Sequence, residues 1–221
     1  MTDFAKNREN MIKGQLLPGG VTDQAVIKSF SSLPREIFVL EKMQKIAYLD
    51  ESIPLGQGRH LITPLAHALL LQHARPDLDD VVLDIGSASG YSSAILSPLV
   101  TTIIALEHNK RQMDKASRIW EKMELCNIAQ IEEVYLGLGH AEKASYSLII
   151  INGSVSFVPE NILEQLAPKG RLVCFKRGVD AVVGHAMLYY KGQNGSVSCK
   201  KLFDAAVPHL GDFNLKKSFS F

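Results

Sequence analysis

The chain has 221 residues, 46% hydrophobic and 21% charged, which is enough apolar material to build the core of one soluble domain. Sixteen glycines and nine prolines exclude collagen-like and disordered classes. Twenty-four basic against 23 acidic side chains leave a net charge of +1, so neither nucleic acid nor an anionic membrane is expected as a partner, since both need clustered positive charge. No apolar run reaches the roughly 18 residues of a membrane span. The start MTDFAKNREN is too polar for a secretory signal, and the cytoplasm is the expected location. Cys126, Cys174 and Cys199 are odd in number and widely spaced, which suggests reduced thiols in or near the core rather than a disulfide framework or a zinc site. The histidines show no metal-ligand spacing, and no metal is expected.

The elements fall in a clear order. Residues 4–17 read as a helix stopped by Pro18-Gly19-Gly20. Thr22 is the expected N-cap of a second helix over 23–33, closed by Pro34. A loop-rich stretch, IPLGQGRHLITP (53–64), leads to a helix capped by Thr63 with Pro64 at its first position, running to about Arg75. From residue 79 strands and helices alternate. VVLDI (81–85), TTIIALE (101–107), IAQIEEV (128–134), YSLIIIN (146–152) and RLVCF (171–175) are strands. Between them lie helices over 90–96, 110–125 and 159–166, the second with Met113, Ala116, Ile119, Trp120 and Met123 as its buried stripe. Continuously apolar strands between amphipathic helices imply a parallel sheet covered on both faces. Residues 181–203 read as a β-hairpin around Gly192 and Gly195 at the sheet edge. The expected architecture is α/β and doubly wound. It is a single domain over 1–221, with a helical and loop extension (1–78) before a core (79–221).

Open α/β sheets bind ligands at the carboxyl ends of their strands, where strand order reverses. The first core strand ends in Asp84-Ile85-Gly86-Ser87-Ala88-Ser89-Gly90-Tyr91. This turn lacks the second and third small positions of G-x-G-x-x-G, holds alanine where G-x-S-x-G needs its nucleophile, and has no P-loop lysine. An S-adenosylmethionine (SAM) turn fits better. SAM carries no phosphates, so its loop only has to let backbone approach the methionyl part closely, and small residues at 86, 88 and 90 allow this. Asp84 is placed to accept from the ammonium. Glu107, 23 positions on, stands at the end of the second core strand, where nucleotide-binding α/β proteins keep the carboxylate that takes the ribose hydroxyls. A plain strand–turn–helix with incidental acids is the competing explanation.

Over most of its length the chain resembles the protein-L-isoaspartate (D-aspartate) O-methyltransferases. The resemblance rests on MIKGQLLPGGVTDQAVIKSF (11–30), LPREIFV (33–39), AYLDESIPLGQG (47–58), VVLDIGSASGYSSAIL (81–96) and ILEQLAPKGRLV (162–173). It implies a Rossmann-like SAM-dependent methyltransferase fold and methylation of the α-carboxyl of isoaspartyl residues in damaged proteins or peptides, a repair reaction with S-adenosyl-L-methionine as cofactor. It also implies a cofactor set of Asp84, Gly86, Ser87, Ala88, Ser89, Gly90, Glu107, His108 and Glu132.

The departures fall at the site. The family loop reads roughly G-Q-T-I-S-x-P, with an active-site serine; here it is Gly58-Arg59-His60-Leu61-Ile62-Thr63-Pro64, so Ile62 stands in the serine's place. Isoleucine cannot donate a hydrogen bond to a carboxylate. Thr63, His60 and Arg59 are the candidates for its work, arginine by a bidentate fork and histidine by one charge-assisted bond. Ala88 replaces a usual glycine, and Glu133-Val134-Tyr135 stands where the family's G-D-G with its adenine-binding aspartate is expected, so that Glu132 or Glu133 is the candidate substitute for that aspartate. Two alternatives to isoaspartyl methylation follow from these departures: a paralogue methylating another carboxylate, and a non-catalytic protein that binds SAM or a partner. The sequence leaves the oligomeric state open.

Overall fold

The computed structural model describes residues 2–178 and 180–213. Its centre is a seven-stranded sheet in the order β5-β4-β3-β6-β7-β8-β9. β3 (Val81–Ile85), β4 (Thr102–Glu107), β5 (Ile128–Glu132), β6 (Tyr146–Val155) and β7 (Leu166–Lys176) run parallel. β8 (Gly184–Lys191) and β9 (Val197–Ala205) add the expected antiparallel hairpin at the edge. A separate two-stranded ribbon precedes the sheet, β1 (Ile53–Gly56) with β2 (Arg59–Leu61). It lies in the stretch expected to be a loop. Strands of four and three residues around Gly56-Gln57-Gly58 are too short to show a period.

Alternation along the parallel strands sorts their side chains onto two faces. Val82, Ile103, Ala105, Leu148, Ile150, Val173 and Phe175 share one core with Met11, Leu16 and Phe30 of the N-terminal segment and with Ala94, Ala116, Ile119 and Trp120. Leu83, Ile85, Ile104, Leu106, Ile149, Ile151, Leu172 and Cys174 face the other way, onto Ile162, Leu136 and Phe213. Both faces are covered, but five of the six α-helices contribute to the first. Among the described residues the second carries the short α6 (Glu160–Glu164) with single-turn segments.

The helix ends follow local chemistry. α1 (Phe4–Met11) is capped by Asp3 and continues as a π-helical turn to Leu16. α2 (Gln24–Ser32) starts one residue later than expected. Its cap is Asp23, whose carboxylate accepts from the N–H groups of Ala25 and Val26, whereas the backbone N–H and hydroxyl of Thr22 both donate to Gln72 Oε1. α3 (Pro64–Ala74) is capped by Thr63 and ends at Arg75 in the left-handed region. α4 (Tyr91–Leu96) springs from Gly90, and α5 (Lys110–Lys122) is capped by Asn109. Cys174 is buried and its thiol is pushed up to about 12 by desolvation. Cys126 and Cys199 are exposed, which corrects the expectation of core or half-buried thiols for these two.

Candidate functional site

Strand order reverses between β3 and β6, so the crevice opens beside the ends of these two strands and of β4. Asp84 is the last but one residue of β3, Gly86, Ser87, Ala88, Ser89 and Gly90 form the turn into α4, Glu107 ends β4 and His108 follows it. The expected cofactor residues of the first two core strands therefore converge. Glu132 ends β5 opposite Glu107 in register but is exposed.

Asp84 is fully buried, and desolvation pushes its carboxyl above the ordinary range against three donors that pull it down. Those donors are Ser92 Oγ (2.9 Å), Ser93 Oγ (2.5 Å) and Asn152 Nδ2 (2.6 Å). The serines are the first residues after Tyr91 on α4, and Asn152 reaches across from β6. The sequence places Ser92 and Ser93 only as helical residues and Asn152 only as a strand end. Two serines in the first turn of a helix that follows a buried strand-end acid are the signal that could have found them.

Glu107 is also fully buried, and its carboxylate is saturated from inside the protein. Oε2 accepts from Ala88 N (3.0 Å) and Arg59 Nε (2.9 Å). Oε1 accepts from Arg59 Nη2 (2.9 Å), His108 N (2.9 Å) and Asn109 N (3.1 Å). Arg59, expected beside a substrate carboxylate, is instead 2% exposed and forms a forked ion pair with Glu107. Its Nη2 also lies 2.9 Å from His108 Nδ1. A guanidinium can only donate, so Nδ1 accepts.

The glycines of the turn are approached by the protein's own side chains. Gly86, at φ +72°, would bring a Cβ to 3.1 Å from Leu210, and Gly90, at φ +85°, to 2.6 Å from the Trp120 ring. Trp120 Nε1 donates to the Gly90 carbonyl at 2.9 Å. Ala88 adopts φ +47°, a conformation that glycine takes without cost. Two openings of about 10 Å³ each lie over the turn, the first bordered by His60, Ile62, Ser87, Ser89 and Asn152 and the second by Gly153 and Leu210. The Ser87 and Ser89 hydroxyls are buried there without hydrogen-bond partners among the described residues.

Ile62 lines both openings with only 3% of its surface exposed, so the position expected to carry a serine does face the site. Its carbonyl accepts from Arg35 Nη2 at 2.6 Å, and Arg35 itself is wholly buried with its guanidinium 4.9 Å from the centre of the Tyr91 ring. This loop anchor was not anticipated, because a buried arginine and a solvated one look alike in a sequence pattern. His60 borders both openings, its imidazole held below the ordinary range by burial. Thr63 is turned away. Its hydroxyl accepts from Ala66 N as the cap of α3, and the residue borders a larger cleft of about 580 Å³ with Asp50, Glu51, Arg177 and Phe203. Val207 and Pro208 form part of the wall of both that cleft and the second small opening. Among the described residues no group of three or more His, Cys, Asp and Glu side chains is arranged to hold a metal ion, and no helix is long and apolar enough to cross a membrane.

A mostly parallel sheet with a buried acid before a glycine turn and a second acid ending the next strand places the chain among the nucleotide-binding α/β proteins. The comparisons narrow this further. The family model for protein-L-isoaspartate(D-aspartate) O-methyltransferase matches residues 6–210. A protein-L-isoaspartate O-methyltransferase 1 of Geotalea uraniireducens is 34% identical over 171 residues, 77% of this chain and 78% of that one. One from Rhodopseudomonas palustris is 29% identical over 212 residues, 96% of this chain and 86% of that one. Among solved structures, a protein-L-isoaspartate O-methyltransferase superposes with a TM-score of 0.77 at 21% identity, over 93% of this chain and 66% of that one. A Plasmodium falciparum beta-aspartate methyltransferase in complex with S-adenosyl-L-homocysteine gives 0.75 at 20% identity, over 97% of this chain and all of that one. The chain belongs to the protein-L-isoaspartate (D-aspartate) O-methyltransferase family.

Proposed function

We propose that the protein is a SAM-dependent carboxyl O-methyltransferase that acts on isoaspartyl residues of proteins or peptides. The observation that carries this reading is the convergence of Asp84, the turn 86–90 and Glu107 at the strand-order switch, in a chain whose family match spans residues 6–210. The donor set fits SAM in chemistry. Asp84 and Asn152 would hold its amino-acid end, the partnerless Ser87 and Ser89 hydroxyls offer further polar contacts, and Glu107 would take the ribose. The space does not yet admit it, since a small-molecule pocket needs roughly 300 Å³ or more and Glu107 is covered by Arg59. SAM supplies an electrophilic methyl group when bound.

The acceptor carboxylate is ionised at neutral pH, so no general base is required, and the protein's task is alignment. The loop 59–63 does this on a rigid base, tied by Arg35 to the Ile62 carbonyl and by Thr63 to α3. Burial disfavours the charged form of His60, which suits it to act as a hydrogen-bonding imidazole. Ile62 presents hydrocarbon where the family's serine would donate, and it excludes water without orienting the acceptor. The cleft of about 580 Å³ that shares Val207 and Pro208 with the site is the place for the acceptor segment. This reading takes residues 1–221 as one unit, the first 78 forming a wall of the site, and places the protein in the cytoplasm.

The test is transfer of labelled methyl from SAM to an isoaspartyl peptide, read as volatile methanol released from the ester. Transfer above the enzyme-free rate supports the reading, and none at high enzyme concentration removes it. The saturated Glu107 and the apolar Ile62 favour a second reading, a non-catalytic member of the family, which single-turnover methylation of any carboxylate would eliminate.

A further inference from the structure

The carboxylate that a nucleoside ligand needs already has an occupant, and that occupant is held in place by more than its own charge. Arg59 lies on β2, and the β1–β2 ribbon is clasped to the junction of β4 and α5 at three further points. Asn109 Nδ2 donates to Gln57 Oε1, Gln112 Nε2 donates to the Leu55 carbonyl at 2.8 Å, and Arg59 Nη2 bonds His108 Nδ1 at 2.9 Å. Gln57 turns the ribbon in the left-handed region at φ +51°. Every clasp point comes from residues 55–59, and every receptor from residues 107–112.

We propose that Arg59 is the affinity-setting gate of the nucleoside site. Its guanidinium and the two ribose hydroxyls of the cofactor compete for the one carboxylate of Glu107, so the ligand binds only when the ribbon unclasps. This rests on the cofactor reading above and adds to it. The ligand's apparent affinity is its intrinsic affinity scaled by the fraction of molecules in which Glu107 is uncovered. Forked bonds from a guanidinium to a buried carboxylate are stronger than bonds from neutral hydroxyls, so that fraction is small. The structure therefore assigns weak cofactor binding to this chain, for a reason internal to the fold rather than to the shape of the turn.

The experiment is calorimetric titration of S-adenosylhomocysteine into the full chain, comparing the wild type with Arg59→Gln. Glutamine can keep one neutral hydrogen bond to Glu107 but cannot fork. The variant is expected to bind about tenfold to hundredfold more tightly, the factor set by removing a charge-assisted competitor. A parallel thermal scan should show a ligand-induced rise in Tm that is larger in the variant. Gln112→Ala leaves both Arg59 and Glu107 in place and only loosens the clasp. It should tighten binding a few-fold, and it serves if Arg59→Gln does not fold. If the wild type and the folded variants bind equally well, the gate is overturned and the cofactor reading stands. If none of them binds at millimolar ligand, both fall.

Discussion

Replacing Arg59 with methionine tests how far the Glu107 carboxylate depends on its internal partner. The substitution keeps much of the side-chain volume and removes the bonds to Glu107 from Nε at 3.1 and 2.9 Å and from Nη2 at 2.9 Å, together with the Nη2 bond to His108. Breaking a buried pair from one side costs about 3–5 kcal/mol, because it strands a charge. Here the carboxylate keeps the backbone N–H groups of Ala88, His108 and Asn109, which places Arg59→Met near the low end, about 3 kcal/mol. The reverse substitution, Glu107→Leu, strands the guanidinium and orphans all three N–H groups. At roughly 1–3 kcal/mol for each unsatisfied group, it should cost 5 kcal/mol or more. The double variant removes both charges and leaves only the three N–H groups unpaired, so it should cost about 4 kcal/mol, far less than the singles together. Urea unfolding of the four proteins gives the cycle, and repeating it in 1 M salt separates a buried pair, which is weakly screened, from an exposed one. An Arg59→Met cost below about 1 kcal/mol, or singles that add to the double within about 0.5 kcal/mol, would refute the buried pair and with it the reasoning that Glu107 is covered.

Four further outcomes follow from the site and its surroundings. Gly90→Ala places a methyl 2.6 Å from the Trp120 ring at φ +85°, and should lower unfolding stability by about 3 kcal/mol in denaturant titration. Ala88→Gly relaxes a residue at φ +47° and should raise stability by about 1 kcal/mol by the same assay. Ile62→Ser should increase methyl transfer to isoaspartyl peptide while costing about 3 kcal/mol of stability, since a side chain only 3% exposed is lost from the core; a rate at or below that of the wild type would show that the serine alone does not limit the site. His67 is fully buried, packed edge-on against Phe30 and Tyr91, and desolvation with the nearby Arg35 charge lowers its pKa to about 3. The unfolded chain titrates near 6.5 and so binds more protons than the folded one between about pH 6.5 and 3, which makes stability fall as pH drops through that window. Asp84, its carboxyl raised by burial, works in the opposite direction. His67→Leu should therefore lose about 2 kcal/mol less than the wild type between pH 7 and pH 5.

What could be read from the sequence and what could not divide along one physical line. The strands β3, β4 and β7 and the stripe of α5 announce themselves because burial on both sides of a strand leaves a continuous apolar run, and burial on one side of a helix leaves a period in the residues. The Thr63-Pro64 start of α3 is legible because a cap and its helix are neighbours in the chain. At α2 the same logic met two adjacent cap formers, Thr22 and Asp23, and the choice between them is made by Gln72 on another helix. Asp84 and Glu107 were visible as strand-end acids, since a strand end is a local feature.

What holds those acids was not visible, and Arg59 shows why. Its partner lies 48 positions away, across a ribbon whose two strands are too short to leave a period. An arginine in a Gly-rich loop suggests a waiting cation for an anionic ligand, and only the fold reveals that the anion is the protein's own. The same holds for Gly90, which looks like room made for a cofactor and is filled by Trp120. A turn of small residues thus reports a close approach without saying what approaches. Here the approaching groups are Trp120, Leu210 and Arg59. Methyl transfer by this chain therefore depends first on moving Arg59 and the ribbon that carries it, and only then on which hydroxyl or imidazole meets the acceptor.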